Sequence, residues 1–135
     1  MELGVSMKIL VIEDEPQVAE MLRSALSHLG LSPCLAHSAE EADRLLQQQE
    51  IDCVTLDLGM PGRGGLDWLE SIAADRPDLA RKTIVITGVD LEPIEIKRLA
   101  QCGAGMLAKP FTLDSLSEAI RTQIDRPTGT CCPAD

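Results

Sequence analysis

The sequence predicts a doubly wound α/β domain in which five parallel strands alternate with five helices. Short apolar runs that are continuous rather than alternating are typical of parallel strands covered on both faces. Between these runs, apolar residues recur every three or four positions, as on amphipathic helices. Because parallel neighbours need right-handed crossovers, the helices must cover both faces of one sheet, for which we predict the strand order 2-1-3-4-5.

The strands are predicted from five apolar segments. Three are strong, at residues 8–13 (KILVIE), 53–58 (CVTLDL) and 83–87 (TIVIT), and two are weaker, at 32–36 and 105–108. Each has a length typical of a strand and is bounded by polar or turn-forming residues.

A helical pattern follows each strand. Pro16 suits the first turn of the first helix, which should end before Gly30. Ser38 and Glu41 form a capping-box pattern for the second helix, and Thr112 is a candidate cap for the last one. The apolar positions of the five helices are Val18, Met21, Leu22, Ala25, Leu26 and Leu29; Ala42, Leu45 and Leu46; Leu66, Leu69, Ile72 and Ala73; a less regular stretch at 91–102; and Leu113, Leu116, Ile120 and Ile124.

Length and composition favour a single domain. The chain has 135 residues, of which 44% are hydrophobic, which suits one compact core and leaves little room for a second domain such as a DNA-binding module. We expect one domain over residues 7–125, preceded by an N-terminal extension at 1–6 and followed by a flexible tail at 126–135.

The charge and the cysteines limit the class of partner. A formal net charge of -10 disfavours nucleic acid and anionic membrane surfaces, and favours proteins or metal cations. No apolar run approaches the roughly 20 residues that cross a bilayer. The five cysteines form no CxxC pair, which fits reduced thiols. We therefore expect a cytoplasmic protein.

Polar side chains collect where the predicted strands end. Glu13 and Asp14 end the first strand, Asp57 ends the third, Thr87 ends the fourth and Lys109 follows the fifth. In open parallel sheets, ligands bind at this carboxyl edge. With the first and third strands adjacent, the three acids should converge in a shallow pocket flanked by the threonine and the lysine.

This set of residues predicts a metal and a phosphoryl chemistry. Three carboxylates without a nearby cysteine or histidine match a hard cation, and Mg²⁺ is the natural choice. Such an ion, together with a pocket that stays wet, would offset the repulsion between the acids. Asp57 could attack a phosphoryl group if the cation and Lys109 absorb the charge, with Thr87 donating a hydrogen bond to a phosphoryl oxygen.

These residues resemble the receiver domain of two-component response regulators, which has a flavodoxin-like, CheY-like fold. The resemblance covers about residues 7–125 and consists of the acidic pair, DLGMPGRGGLDWL around the phosphoacceptor, ITG after the fourth strand and KPF after the fifth. It implies that Asp57 accepts phosphate from a histidine kinase or phosphotransfer protein, and that Thr87 and Lys109 contact the phosphoryl group. It also implies a Mg²⁺ site formed by Glu13, Asp14, Asp57 and the Gly59 carbonyl, and a Lys109-Pro110 bond that is often cis.

The sequence departs from the family pattern at several positions. Glu13 stands where many relatives have aspartate, and Met106 stands where they commonly have the aromatic residue of a threonine-aromatic switch. Gly59 and Val89 occupy positions that in this family tune phosphate loss, and neither side chain can hydrogen-bond an attacking water. We therefore expect slow self-dephosphorylation.

The resemblance further implies an output contact with a protein through residues 91–124, with Lys97, Arg98 and Arg121 as exposed candidates. Two alternatives stay open. An aspartate-nucleophile phosphohydrolase uses similar groups, although it normally needs a second aspartate where Gly59 stands. A pseudo-receiver would bind partners without phosphate. The sequence names neither the kinase, the signal nor the output, and is compatible with a free-standing regulator or with part of a longer protein.

Overall fold

A computed structural model of the chain describes residues 7–59, 64–88 and 91–125. The extension predicted at 1–6 and the tail predicted at 126–135 lie outside the described residues. The strands are β1 (Lys8–Ile12), β2 (Ser32–Ala36), β3 (Cys53–Asp57), β4 (Thr83–Thr87) and β5 (Gly105–Ala108). The helices are α1 (Pro16–His28), α2 (Ala39–Gln48), α3 (Gly65–Asp75), α4 (Pro77–Arg81), α5 (Pro93–Cys102) and α6 (Leu113–Ile124).

The five strands form one parallel sheet in the predicted order β2-β1-β3-β4-β5. The register aligns the ends of the central strands, since Ile12 pairs with Leu56 and Asp57 pairs with Ile86. The residues that follow β1, end β3 and end β4 therefore lie at one edge of the sheet.

Every residue of β3 and β4 is buried, which explains why their sequences are almost continuously apolar. The two faces of the sheet carry separate apolar cores. One is packed under α2, α3, α4 and α5 and includes Leu10, Ile12, Val54, Leu56 and Val85. The other is packed under α1 and α6 and includes Ile9, Val11, Cys53, Ile84 and Ile86.

The predicted helix caps are present. The Ser38 hydroxyl accepts a hydrogen bond from Glu41 N at 3.1 Å, and the Glu41 carboxylate accepts one from His37 N rather than from the cap residue itself. Thr112 Oγ1 accepts a hydrogen bond from Ser115 N at 3.0 Å. None of the helices in the described ranges is long and apolar enough to cross a membrane.

One helix was not predicted. The α4 helix has only five residues and begins at Pro77, directly after the C-terminal cap of α3. Proline cannot continue the preceding helix because it lacks an N–H and its ring clashes with the carbonyl four residues earlier, so the chain starts a new helix there. Strands β1 and β3 also end one residue earlier than predicted.

Two buried threonines in the sheet allow a matched test of stability. Among the residues that the structure describes, Thr55 Oγ1 is buried without a hydrogen-bond partner, whereas Thr83 Oγ1 donates to the Leu79 carbonyl at 2.9 Å. A buried hydroxyl without a partner destabilises the fold, so Thr55→Val should raise the free energy of unfolding by about 1 kcal/mol. Thr83→Val should lower it by about 1 kcal/mol. Urea denaturation of both variants checks the prediction, and equal effects of the same sign would contradict it.

Candidate functional site

Three carboxylates meet at the carboxyl edge of the sheet. Glu13 and Asp14 follow β1, Asp57 ends β3, and one carboxylate oxygen from each lies within 4.8 Å of the others. The structure thus brings together the three acids that the strand pattern predicted as neighbours. All the candidate ligand atoms are oxygens, which suits a hard divalent cation.

Two of the three acids are more deeply buried than the shallow, wet pocket predicted from the sequence would require. Glu13 is only 1% exposed and Asp57 is 9% exposed. Burial, followed by the negative charge of Asp57, raises the pKa of Glu13 to about 7, and Lys109 acts in the opposite direction. Negative charge at this edge is therefore only partly compensated by the side chains, and a bound cation would complete the compensation.

Lys109 is the cation of the site. Its Nζ lies 3.6 Å from Glu13 Oε1 and 4.0 Å from Asp57 Oδ1, so it bridges the two buried acids rather than facing Asp57 alone. The Lys109-Pro110 peptide bond is cis, as the resemblance implied. Lys109 N also donates a hydrogen bond to the Thr87 carbonyl at 2.9 Å, which ties the residue after β5 to the end of β4.

Thr87 and Gly59 lie beside Asp57. Thr87 is the last residue of β4 and is 5% exposed, and the residue before it pairs with Asp57. Gly59 N donates a hydrogen bond to Asp57 Oδ1 at 3.1 Å, so the loop that leaves β3 turns back onto the carboxylate. Val89, the other residue predicted to affect phosphate loss, lies outside the described residues.

A histidine contacts the backbone of the loop that carries Glu13 and Asp14. The Nδ1 atom of His37 lies 3.3 Å from the Glu13 carbonyl, and Glu15 N donates to Glu13 Oε2 at 3.4 Å. His37 directly follows β2 in the chain. Its contact depends on the pairing of β1 with β2, which a local pattern does not reveal.

Arg98 is not a free surface cation, contrary to the sequence prediction. It forms a two-pronged pair with Glu70, at 2.8 and 2.6 Å, and a third hydrogen bond to Asp67 at 3.0 Å, which joins α5 to α3. The hydrogen bonds from Arg98 also hold the pKa of Glu70 below its usual value. By contrast, Lys97 and Arg121 are exposed.

The sequence matches the family model described as response regulator receiver domain over residues 9–121. The transcriptional regulatory protein PmrA of Pectobacterium parmentieri is 33% identical over 124 residues, which are 92% of this chain and 55% of that protein. The response regulator MprA of Mycobacterium bovis is 32% identical over 122 residues, which are 90% of this chain and 52% of that protein. The chain thus spans about half the length of the curated relatives it matches.

Solved structures agree with the match to the receiver domain family. The response regulator TrrA of Thermotoga maritima, in complex with Mg(2+)-BeF, is 28% identical with a TM-score of 0.77, and the match covers 87% of this chain and 98% of that one. A response regulator receiver protein from Pseudomonas putida is 30% identical with a TM-score of 0.80, covering 89% and 99%. A CheY-like receiver protein from Methanospirillum hungatei has a TM-score of 0.82 at 22% identity, covers 90% and 95%, and supports the fold alone.

Proposed function

The chain belongs to the response regulator receiver domain family of two-component systems, and from this membership we propose that Asp57 is its phosphoacceptor and that the transfer depends on Mg²⁺. The observation that carries the proposal is the meeting of Glu13, Asp14 and Asp57 within 4.8 Å, with the Lys109 ammonium 4.0 Å from the Asp57 carboxylate. The Mg(2+)-BeF complex of TrrA, a structural relative, supports the same assignment.

The residues of the chain divide the chemistry between them. An Asp57 carboxylate oxygen attacks the phosphorus of a phosphohistidine, so that a P–O bond forms and the P–N bond breaks, which leaves an acyl phosphate and a histidine. Lys109 neutralises charge on the transferred oxygens, and the Thr87 hydroxyl donates a hydrogen bond to one of them. Glu13, Asp14, Asp57 and the Gly59 carbonyl would hold Mg²⁺. Bound Mg²⁺ would stabilise the negative charge of the phosphoryl group.

Labelling with acetyl phosphate tests the proposal directly. The intact mass should increase by one phosphoryl group when Mg²⁺ is present, and the increase should disappear when the ion is removed with a chelator. Peptide mapping should locate the group on Asp57. Labelling that is independent of Mg²⁺, or that lies on another residue, would refute the proposal.

The proposed partners are a histidine kinase or phosphotransfer protein that donates the phosphoryl group, and a protein or domain that reads it through residues 91–124. That segment presents the exposed apolar side chains Ile94, Ile96, Met106 and Leu113. A side chain at position 106 that is 48% exposed and lacks a ring supports a read-out other than the threonine-aromatic switch.

We propose a cytoplasmic location, which agrees with the predicted reduced thiols.

We expect the phosphorylated form to be long-lived and the protein to be labelled once rather than to turn substrate over. Gly59 offers no side chain to orient a water molecule toward the acyl phosphate. Among the described residues, the nearest atom to a Cβ at this position would be Asp57 Oδ1, at 3.6 Å, which is an ordinary contact distance. Loss of the label should therefore be slow in the parent protein and faster in Gly59→Asn. The measurement is the decay of phosphorylated mass after donor removal. A half-life of seconds in the parent, or multiple turnover of a phosphomonoester, would contradict this expectation and favour the phosphohydrolase alternative.

A further inference from the structure

One glycine packs directly against the backbone of the proposed phosphoacceptor. Gly65 is the first residue of α3 and is buried. A methyl group on it would lie 2.8 Å from the Asp57 carbonyl oxygen and 3.1 Å from Leu58 Cα. Approaches below 3.0 Å are essentially never made by real Cβ atoms, so a larger residue at position 65 requires a shift of the backbone.

We propose that Gly65 is a positioning residue for phosphoryl transfer: its missing side chain lets α3 begin against the Asp57 carbonyl and so fixes the Asp57 carboxylate in its reactive position. The inference rests on the proposed function and adds a residue that never touches the phosphoryl group.

Neither of the two elements that meet at Gly65 can easily retreat. Strand β3 lies between β1 and β4, and all five of its residues are buried. Helix α3 is anchored by Trp68 and Leu69, both 0% exposed. The Trp68 indole N–H also donates to Asp43 of α2 at 2.8 Å. Close-packed protein interiors transmit strain instead of absorbing it.

The displacement must therefore fall on the C-terminal end of β3 and the residues that follow it. That segment starts with the Asp57 peptide and Leu58 and continues to Gly59. The Gly59 N–H donates a hydrogen bond to Asp57 Oδ1 at 3.1 Å. The same few atoms thus carry the nucleophilic carboxylate and the proposed carbonyl ligand of Mg²⁺. Because phosphoryl transfer needs its groups aligned, even a displacement of about 1 Å lowers the rate by up to about 10²-fold.

Two other glycines provide matched controls for the same substitution. Among the described residues, a Cβ at the adjacent Gly64 would meet Asp67 Oδ2 alone, at 3.9 Å, so Gly64→Ala tests the neighbouring position with no clash against them. A Cβ at Gly105, at the end of β5 away from Asp57, would lie 2.7 Å from Oε1 of Gln123, a clash with a side chain rather than with backbone. It would displace the Gln123 amide, which is buried and donates a hydrogen bond to the Arg81 carbonyl. Gly105→Ala therefore tests the effect of lost stability alone.

The experiment compares the three alanine variants and the parent at a temperature where circular dichroism shows each to be folded. The measurements are the initial rate of acetyl phosphate labelling, the Mg²⁺ affinity by calorimetry, and the melting temperature. We expect Gly65→Ala to label at least about tenfold more slowly and to bind Mg²⁺ more weakly. Gly64→Ala should match the parent, and Gly105→Ala should melt earlier but label like the parent.

The inference is overturned if Gly65→Ala labels and binds Mg²⁺ like Gly105→Ala. Absence of labelling in the parent would instead overturn the proposed function and this inference with it. If Gly65→Ala does not fold, the double variant Gly65→Ala/Leu58→Ala replaces it, since the leucine Cδ2 atom is a further close neighbour at 3.2 Å. The same two outcomes then decide the question.

Discussion

Asp57→Asn is expected to abolish labelling by acetyl phosphate or by a phosphorylated kinase. The amide has nearly the same shape as the carboxylate and its oxygen can still accept the Gly59 N–H, but it is not a nucleophile toward phosphorus. Loss of a catalytic nucleophile lowers rates by more than about 10³-fold, which puts the variant below detection by intact mass.

The fold should tolerate this change. The Asp57 charge is one of the causes that raise the pKa of Glu13, so removing it relieves a repulsion between two buried acids. The melting temperature of Asp57→Asn should thus equal or exceed that of the parent. Asp75→Asn, on the exposed end of α3, is the matched control and should be labelled normally. Equal labelling of Asp57→Asn and the parent would remove Asp57 from its role.

Asp14→Asn is expected to weaken Mg²⁺ binding by at least about tenfold, since it removes one of the charged oxygens that a hard cation prefers. The labelling rate at low Mg²⁺ should fall with it. A high Mg²⁺ concentration should restore much of the rate, because the nucleophile and Lys109 remain in place. This recovery separates the loss of a ligand from a general distortion of the site.

The neighbouring acid offers a control with the same change of charge. Glu15 is exposed and its carboxylate is outside the three-acid cluster, so Glu15→Gln should leave the Mg²⁺ affinity within about twofold of the parent. Titration calorimetry of both variants measures the difference. Equal weakening in the two variants would mean that Asp14 acts only through long-range charge.

The sheet could be predicted from the sequence because each strand is a short apolar run of the kind that both-face burial requires. The position of the site followed from topology, since residues at parallel strand ends meet at one edge. The α4 helix was missed because Pro77–Arg81 is a single turn and shows no period.

Other features depend on contacts between residues far apart in the chain. The sequence predicts Arg98 as an exposed cation, yet in the structure it pairs with acidic residues that lie 28 and 31 positions away on α3. Gly64 and Gly65 are adjacent glycines that the sequence does not distinguish, whereas in the structure Gly65 packs on the Asp57 carbonyl and Gly64 does not. The 3.6 Å approach of Lys109 Nζ to Glu13 Oε1 depends on the path of the chain after β5, which a motif does not encode.

The packing of Trp68 gives the protein a built-in optical reporter. It is the only tryptophan, the chain has no tyrosine, and its indole is fully enclosed one turn after Gly65. Intrinsic fluorescence therefore comes from one place on α3, the helix whose first residue packs against the Asp57 carbonyl. A change in emission wavelength or intensity when Mg²⁺ and beryllofluoride are added would follow occupancy in real time, without a dye or a label.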